Sequence, residues 1–253
     1  MTILLTGGTG TLGRHVLPLL SASGRRVRVL SRHEHAPADG VEYVTGDLLS
    51  GKEIDDATAG TEIILHLAGG PKRDDEAARA VARAAQRAGV RHLVAISVIG
   101  ADRMPLGWFR TQRAVEEAII GSGVPWTILR AAQFHTLVRT MLDKMVKLPV
   151  IPAPGGLRFE PVDPREVAAR LASLTLGEPA GLVPDLPGPK VYELADLVRG
   201  YLKVRDKHRA LLPIRMPGAA GRAYRSGENL SVSGQAGQRT WEEFVAESVL
   251  TSR

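Results

Sequence analysis

The stretch Ile3-Leu4-Leu5-Thr6-Gly7-Gly8-Thr9-Gly10-Thr11-Leu12-Gly13 decides the fold. A short apolar run typical of a buried strand meets a glycine-rich turn, and a helical segment follows. In such a unit one glycine permits the tight turn, another lets the backbone approach a pyrophosphate, and the last lets the helix pack closely on the strand. The amide groups and the helix dipole then favour an anion. The predicted contacts of a bound dinucleotide are Gly7, Thr9, Gly10, Thr11, Leu12 and Gly13; a structural turn without ligand is the alternative.

Strands and helices alternate through the first half of the chain. Strands are predicted at residues 3–6, 26–31, 42–45, 62–66, 92–97 and 126–129, and helices at residues 12–23, 74–88 and 107–122. Strands joined by crossover helices imply a parallel sheet. The predicted class is α/β, a Rossmann-like parallel sheet with helices on both faces and a small C-terminal substrate lobe.

The pattern is less regular after Arg130. Helices are predicted at residues 134–148, 164–176, 192–202 and 240–249, with a loop or short strand at 149–156. Thr240 and Glu243 have the spacing of a capping box. We interpret residues 1–253 as one NAD(P)-binding domain, in which residues 134–253 contribute most of the substrate-side lobe.

Composition excludes several classes of function. The 253 residues include no cysteine, which excludes disulfides, thiolate nucleophiles and Cys-based zinc sites. The seven histidines are isolated, so no metal site is predicted. The net charge of +6 comes from scattered Lys and Arg with few aromatics, which argues against nucleic acid. The N-terminal residues are typical of a first β-strand and not of a signal peptide. No apolar run reaches the ~20 residues that are needed to span a bilayer. We expect a cytoplasmic protein with a small-molecule substrate and no membrane partner; the oligomeric state is not predicted.

The end of the second strand indicates which cofactor is preferred. An acid at this position would bind the ribose 2′-hydroxyl of NAD. Here the strand ends in Leu30-Ser31-Arg32 without an acid. A guanidinium suits a 2′-phosphate, and Ser31 could add a hydroxyl. NADP (NADPH) is therefore favoured over NAD, with a solvated surface role for Arg32 as the alternative.

Two later strand ends supply further cofactor candidates. Asp47, with Leu48 beside it, could accept a hydrogen bond from the adenine amino group or could cap a helix. The small residues Ala68 and Gly69 would let the backbone pass close to the cofactor ribose. Lys72 could contact a phosphate or the substrate, or could be a solvated loop residue.

Seven stretches resemble the NmrA-like group of atypical short-chain dehydrogenases/reductases. They are Thr6–Val16, Val29–Arg32, Gly46–Leu48, Ser97–Ala101, Val124–Phe134, Phe159–Asp163 and Arg239–Phe244. The resemblance covers nearly the whole chain. It implies a Rossmann-like fold with NAD(P) bound at the carboxyl ends of the strands, and it leaves the reaction open.

The chain differs from this group at the position of the catalytic general acid. Conventional members carry a Tyr-x-x-x-Lys motif, whose tyrosine protonates the carbonyl oxygen and whose lysine lowers the tyrosine pKa. The matching positions hold Trp108 and Gln112, and neither side chain can act as a general acid near neutral pH. Gln112 could still hydrogen-bond the nicotinamide ribose. Trp108 and Phe109 could form an apolar wall for an aromatic substrate.

Few other residues could bind or protonate a substrate. Ser97 ends the fifth strand, where a donor to substrate belongs, or it caps that strand. His135 could donate a proton, or it could be structural. Phe134 could extend the apolar wall. Met141 and Met145 share a helix face that could form a flexible lid over substrate or belong to the core.

These observations predict an NADPH-dependent oxidoreductase, a ketone or quinone reductase acting without the usual Tyr/Lys acid. A quinone, or a ketone hydrogen-bonded to its own phenol, needs little help from a protein acid. The resemblance includes ketoreductases of aromatic-polyketide antibiotic biosynthesis that dispense with the tyrosine. The alternatives are a non-catalytic NAD(P) sensor of the NmrA type and an isomerase or lyase.

Overall fold

The computed structural model describes residues 1–36, 40–70 and 73–250. The strands are β1 (Thr2–Thr6), β2 (Arg26–Ser31), β3 (Val41–Thr45), β4 (Ile63–His66), β5 (His92–Val98), β6 (Trp126–Ala131), β7 (Val150–Pro154), β8 (Arg158–Phe159), β9 (Gly181–Leu182), β10 (Tyr192–Glu193) and β11 (Ala210–Ile214). The helices are α1 (Gly13–Ser21), α2 (Gly51–Thr58), α3 (Asp74–Arg87), α4 (Gly107–Ile120), α5 (His135–Met145), α6 (Pro164–Leu176), α7 (Leu194–Val204), α8 (Gly218–Ser226) and α9 (Trp241–Leu250).

A seven-stranded sheet has the order β3-β2-β1-β4-β5-β6-β9. The pairs β1–β2, β1–β4, β2–β3, β4–β5 and β6–β9 are parallel. The strand order reverses between β1 and β4, and in open α/β sheets the ligand crevice lies at the carboxyl ends of the strands at this reversal. The predicted Rossmann-like α/β fold is confirmed.

The chain divides into two compact units. Unit 1 comprises Met1–Ser97, Arg110–Arg130 and Arg165–Val183, and unit 2 comprises Val98–Phe109, Ala131–Pro164 and Pro184–Arg253. The core of unit 1 packs sheet residues such as Leu4, Ile64 and Leu93 against the alanine-rich face of α3. The main core of unit 2 centres on Tyr201 and Trp241, both fully buried. Two small sheets belong to unit 2: the antiparallel pair β8–β10 and the parallel pair β7–β11.

The long, strongly patterned elements of the chain agree with the sequence predictions to within a few residues. Helix α6 has the predicted bounds, and the strand expected as one option in residues 149–156 is β7. The predicted capping box is confirmed, because Thr240 N–H donates to Glu243 Oε2 at 2.8 Å and Glu243 N–H donates to Thr240 Oγ1 at 3.3 Å.

Short elements were missed. Helix α2 is mostly polar, β8 has only two residues, and β11 contains a proline, so none shows a clear hydrophobic period. Helix α8 was missed too. The predicted helix 192–202 was wrong at its start: Tyr192 and Glu193 pair with β8, and the helix begins at Leu194.

Candidate functional site

In the glycine turn, backbone segments approach one another so closely that side chains would not fit between them. Gly7 has a φ of 70°, and a Cβ there would lie 2.6 Å from the Ala68 nitrogen, so only glycine fits. A Cβ on Gly13 would lie 2.2 Å from the Gly7 oxygen. Gly7 therefore brings the β1 turn against the end of β4, and Gly13 brings the start of α1 against the turn.

The tip of this turn faces solvent. Thr9, Gly10 and Thr11 are exposed, whereas Leu12 and Gly13 are buried. The turn is closed by a 3.0 Å hydrogen bond from Gly10 N–H to the Gly7 oxygen. An exposed turn at the N-terminus of a helix, at the reversal of the sheet order, is suited to holding a phosphate.

Thr6 and His66 join the two strands beneath the turn. Thr6 Oγ1 lies 2.8 Å from His66 Nδ1 and accepts Ala68 N–H at 3.3 Å. Burial lowers the pKa of His66 to about 4, so the ring is neutral near pH 7 and shares one hydrogen bond with the Thr6 hydroxyl. This pair was not predicted from the sequence; its signal is a polar residue at the last position of two neighbouring buried strands.

Ser31, Arg32 and two histidines lie together at the end of β2. Ser31 is buried, and its Oγ accepts His33 N–H at 3.2 Å and lies 2.8 Å from His35 Nε2. The His35 ring packs on Tyr43 with 4.9 Å between centroids. Arg32 is exposed. The two histidines were not singled out from the sequence, although they lie one and three residues after Arg32.

Asp47, at the end of β3, is held by local hydrogen bonds. Its Oδ1 accepts Leu49 N–H at 2.9 Å, and its own N–H donates to Glu53 Oε2 at 2.6 Å. Asp47 is exposed and Leu48 is half-buried. Helix α2 begins four residues later, with Ser50 at the N-cap position. The adenine role of Asp47 stays a prediction.

Gln112 meets the loop after β4 through Asp74. Its Nε2 donates to Asp74 Oδ2 at 3.4 Å, while Asp74 Oδ1 accepts Gly70 N–H at 2.7 Å. Asp74 is buried, and desolvation raises its pKa. This arrangement places Gln112 beside the loop of Ala68 and Gly69, two of the predicted cofactor contacts. Lys72, in the same loop, lies outside the described residues.

Ser97 belongs to a buried charged network. Its Oγ donates to Glu116 Oε1 at 2.6 Å. Arg130 binds the same carboxylate with two donors, Nε to Oε1 and Nη2 to Oε2, each at 2.7 Å. The Ser97 proton is thus engaged, and a substrate would have to displace Glu116 to receive it. The sequence signal for Glu116 is its position one helical turn after Gln112.

Trp108 and Phe109 differ in exposure. The Trp108 side chain is 46% exposed, and its ring meets Phe109 edge-on at 5.1 Å. Phe109 is buried in a small cluster of unit 2 with Val98 and Met104. Trp108 therefore offers an accessible aromatic face, whereas Phe109 supports it from below.

The remaining candidates pack into unit 2. His135 is fully buried, with its ring 5.0 Å from Phe244 and 5.9 Å from Trp241. Phe134 is half-buried and precedes α5. Met141 and Met145 are half-buried against the main core of the unit. Their lid role and the catalytic role of His135 stay predictions.

A further buried carboxyl, which was not predicted from the sequence, lies in unit 2. Glu160 is hydrogen-bonded by Ser231 N–H, and Ser231 Oγ donates to Asp185 Oδ2 at 3.2 Å. Burial raises the pKa of Glu160 to about 7. Its sequence signal is weak, since a glutamate between Phe159 and Pro161 is equally typical of a surface turn.

No group of three or more His, Asp or Glu side chains in the described ranges could hold a metal ion. No helix in that part of the chain is long and apolar enough to cross a membrane.

Several relatives carry reductase names. A Streptomyces griseus (4-alkanoyl-5-oxo-2,5-dihydrofuran-3-yl)methyl phosphate reductase is 36% identical over 68% of this chain and 63% of its own length. The chain thus matches slightly less than two thirds of that relative. A Caulobacter vibrioides ceramide reductase is 28% identical over 85% of the chain and 74% of its own length.

Solved structures share the fold over the whole chain. An Escherichia coli NADPH-dependent quinone oxidoreductase complexed with NADPH has a TM-score of 0.79 at 20% identity, covering 98% of this chain and 99% of that one. A Citrobacter sp. triphenylmethane reductase complexed with NADP(H) has a TM-score of 0.77 at 22% identity, with the same coverage. At these identities the likeness shows the fold alone.

A family model described as NAD(P)H-binding matches residues 7–144, more than half of the chain. The match begins in the glycine turn and spans the strand ends and Gln112. The expected resemblance is confirmed at this level: the chain belongs to the NAD(P)H-binding family.

Proposed function

We propose that this chain is an NADPH-dependent reductase that delivers hydride to a carbonyl or quinone of a small aromatic molecule without a Tyr/Lys acid. The observation that carries the proposal is the hydrogen bond from Gln112 to Asp74, beside the loop after β4. Gln112 stands at the position where the conventional motif has its lysine. The ribose side of the site is equipped with a hydrogen-bonding amide, while neither Trp108 nor Gln112 can supply a proton.

The residues of unit 1 fit a dinucleotide. The turn at Gly7–Gly13 would hold the pyrophosphate, Gln112 the nicotinamide ribose and Arg32 with Ser31 the 2′-phosphate. A Cβ at Gly7 or Gly13 would fill the space that the backbone needs here. Arg32 would give NADPH its advantage over NADH through charge and paired donors. The bound cofactor supplies the hydride.

The acceptor would have to need little protonation by the protein. A quinone gives a stabilised hydroquinone anion, and a ketone bonded to its own phenol carries its acid with it. Trp108, with its exposed indole, is suited to contacting such flat molecules. The reductase names of the relatives support the reaction class, and polyketide-type ketones are the substrates we favour.

The test is a turnover assay on the purified chain. NADPH is mixed with quinones, polycyclic ketones and simple aliphatic ketones, and the loss of nicotinamide absorbance is followed. Turnover of quinones or phenol-bearing ketones, with no turnover of aliphatic ketones, is expected. In the variant Trp108→Tyr/Gln112→Lys we expect reduction of aliphatic ketones to appear. A failure of the variant to gain it would contradict the positional match to the lost motif.

A non-catalytic NAD(P) sensor of the NmrA type is the second candidate. It is favoured by the same loss of an acid and a lysine, because a sensor needs only the cofactor-binding half. Tight NADPH binding with no turnover on any acceptor would establish the sensor and overturn the reductase.

A further inference from the structure

The two-stranded sheet of β7 and β11 has an apolar outer face. The register pairs Val150 with Ala210, Pro152 with Leu212 and Pro154 with Ile214, and parallel partners point to the same side. Val150, Leu212 and Ile214 are 45%, 53% and 42% exposed. The opposite face, with Ile151 and Leu211, packs on the core of unit 2.

A basic cleft adjoins this face. It has a volume of about 830 Å³ and is lined by Lys147, Pro149, Arg199, Leu202, Lys203, Asp206, Lys207, His208, Arg209, Ala210 and Leu211. Five of these side chains are Lys or Arg and one is an acid. Pro149 precedes Val150, and Ala210 begins β11, so the cleft and the apolar face are continuous along both strands. We call the two together the apolar–basic surface.

The basic charge of the chain is concentrated here. Residues 199–215 contain six Lys or Arg and one Asp, a net charge of +5, against +6 for the whole chain. Arg199 pairs with Asp196 and Arg205 with Asp143. For Lys147, Lys203, Lys207 and Arg209 the described part of the chain provides no ion pair. Elsewhere in the sequence Lys and Arg are mixed with acids. In this part of unit 2 they form a positive patch that neighbouring acids do not neutralise.

Helix ends explain only part of this charge. Lys203 lies in the last turn of α7, where a cation is favoured by the helix dipole. Lys207 and Arg209 lie beyond that helix, in an exposed connection to β11. Cations in these positions satisfy no helix end, and they border directly on exposed aliphatic side chains.

We propose that the apolar–basic surface docks peripherally on an anionic phospholipid bilayer. Aliphatic side chains would enter the headgroup boundary, while the cations would meet lipid phosphates, a pairing that membrane-surface proteins use. This proposal departs from the expectation, drawn from the sequence, that the protein has no membrane partner.

Two other occupants fit less well. A second copy of the chain, related by a twofold axis, would bring two positive patches together, and like charges across an interface are unfavourable. Single-stranded nucleic acid would use exposed aromatic side chains for stacking. The aromatic nearest the cleft in sequence, Tyr201, is fully buried in the core of unit 2.

The experiment is flotation of the full chain with phosphatidylcholine vesicles, with and without phosphatidylglycerol. We expect flotation only with phosphatidylglycerol and a steep loss with added salt. Because each cation near such a surface contributes about fivefold, Lys203→Glu/Lys207→Glu/Arg209→Glu should weaken binding more than tenfold. Leu212→Ser/Ile214→Ser should weaken it too, without changing the salt dependence.

A matched control reverses three exposed arginines of α3, Arg79→Glu/Arg83→Glu/Arg87→Glu. Circular dichroism and NADPH affinity check that each variant is folded. Three outcomes overturn the proposal: no flotation at low salt, an equal loss in the α3 control, or a DNA complex or dimer that depends on the same residues while vesicles stay unbound.

Discussion

Ser97 and Arg130 share one oxygen of Glu116, which accepts the Ser97 hydroxyl at 2.6 Å and the Arg130 Nε at 2.7 Å. Glu116 and Arg130 are both buried. The ends of β5 and β6 are thereby fixed to α4 through one carboxylate, four residues beyond Gln112. The network holds the helix that carries the altered acid motif.

Glu116→Ala should lower the free energy of unfolding by about 3–5 kcal/mol, because it removes the bidentate partner of a buried arginine. Urea unfolding measures the change. Glu117→Ala is the control, since it breaks only the exposed pair with Arg113 and should cost less than about 1 kcal/mol. Equal costs for the two variants would contradict a stabilising role of the buried network.

Ser97→Ala tests whether the serine protonates substrate. The Ser97 proton is already donated to Glu116, so we expect kcat/KM to fall less than about tenfold, well below the 10²–10⁴ of a general acid. The assay uses the best acceptor found in the turnover screen. A fall of a hundredfold or more with normal NADPH affinity would assign the proton to Ser97 instead.

Arg32→Ala should raise the Kd of NADPH by about ten- to a hundredfold and leave that of NADH nearly unchanged. The reason is loss of a charged donor to the 2′-phosphate. Titration of protein fluorescence with each cofactor gives both constants. Arg26→Ala, at the exposed opposite end of β2, is the control. Equal losses for both cofactors would refute the 2′-phosphate role.

Gly13→Ala should abolish cofactor binding, because the added Cβ would lie 2.2 Å from the Gly7 oxygen and would push α1 off the turn. Gly51→Ala, in α2, meets no atom within 4 Å and should slightly stabilise the chain. Calorimetric titration with NADPH and thermal unfolding distinguish the two. Retained binding in Gly13→Ala would mean that the turn does not hold the pyrophosphate.

The pH dependence of stability should contain two opposing contributions. The pKa of Glu160 is raised from 4.5 to about 7, so the native state holds an extra proton, and this stabilisation is lost as the pH rises through that window. The pKa of His66 is lowered from 6.5 to about 4, so its effect is the reverse: stability grows as the pH rises from 4 to 6.5.

Glu160→Gln keeps the acceptor for Ser231 and should leave the His66 contribution alone. Urea unfolding from pH 4 to 7 should then show stability rising with pH by roughly 3 kcal/mol, more steeply than in the unmodified chain. Glu117→Gln, at an exposed position, serves as the control and should preserve the original profile. An unchanged slope in Glu160→Gln would show that folding does not raise the pKa of this carboxyl.

The order of strands and helices could be read from sequence because the long elements carry strong periods. The alternating Arg26–Ser31 and the alanine-rich Asp74–Arg87 leave little ambiguity. Elements such as β8 are too short to show a period, and their pairing with distant residues creates them. Local pattern cannot reveal such tertiary pairing.

The residues of the candidate site that belong to local motifs could be predicted from the sequence, whereas those that depend on distant partners could not. The glycine turn is a local motif, and Gln112 is found by counting along one helix. Glu116, His66 and Glu160 matter through partners elsewhere along the chain, so their burial needs the fold, and so do the shifted pKa values of His66 and Glu160. Helical spacing placed Met141 and Met145 on one face, but it could not show what that face packs against.

The contact of Gly7 with Ala68 bears on the order in which the chain folds and binds nucleotide. The glycine turn is completed by a strand about sixty residues downstream, so on the proposed function a growing polypeptide on the ribosome would capture no nucleotide until β4 has emerged and docked. Nucleotide would then bind only the finished sheet, and at a hundred times its Kd it would shift the folding equilibrium by about 2.7 kcal/mol. Cellular NADPH would thus act as a folding ligand as well as a reductant.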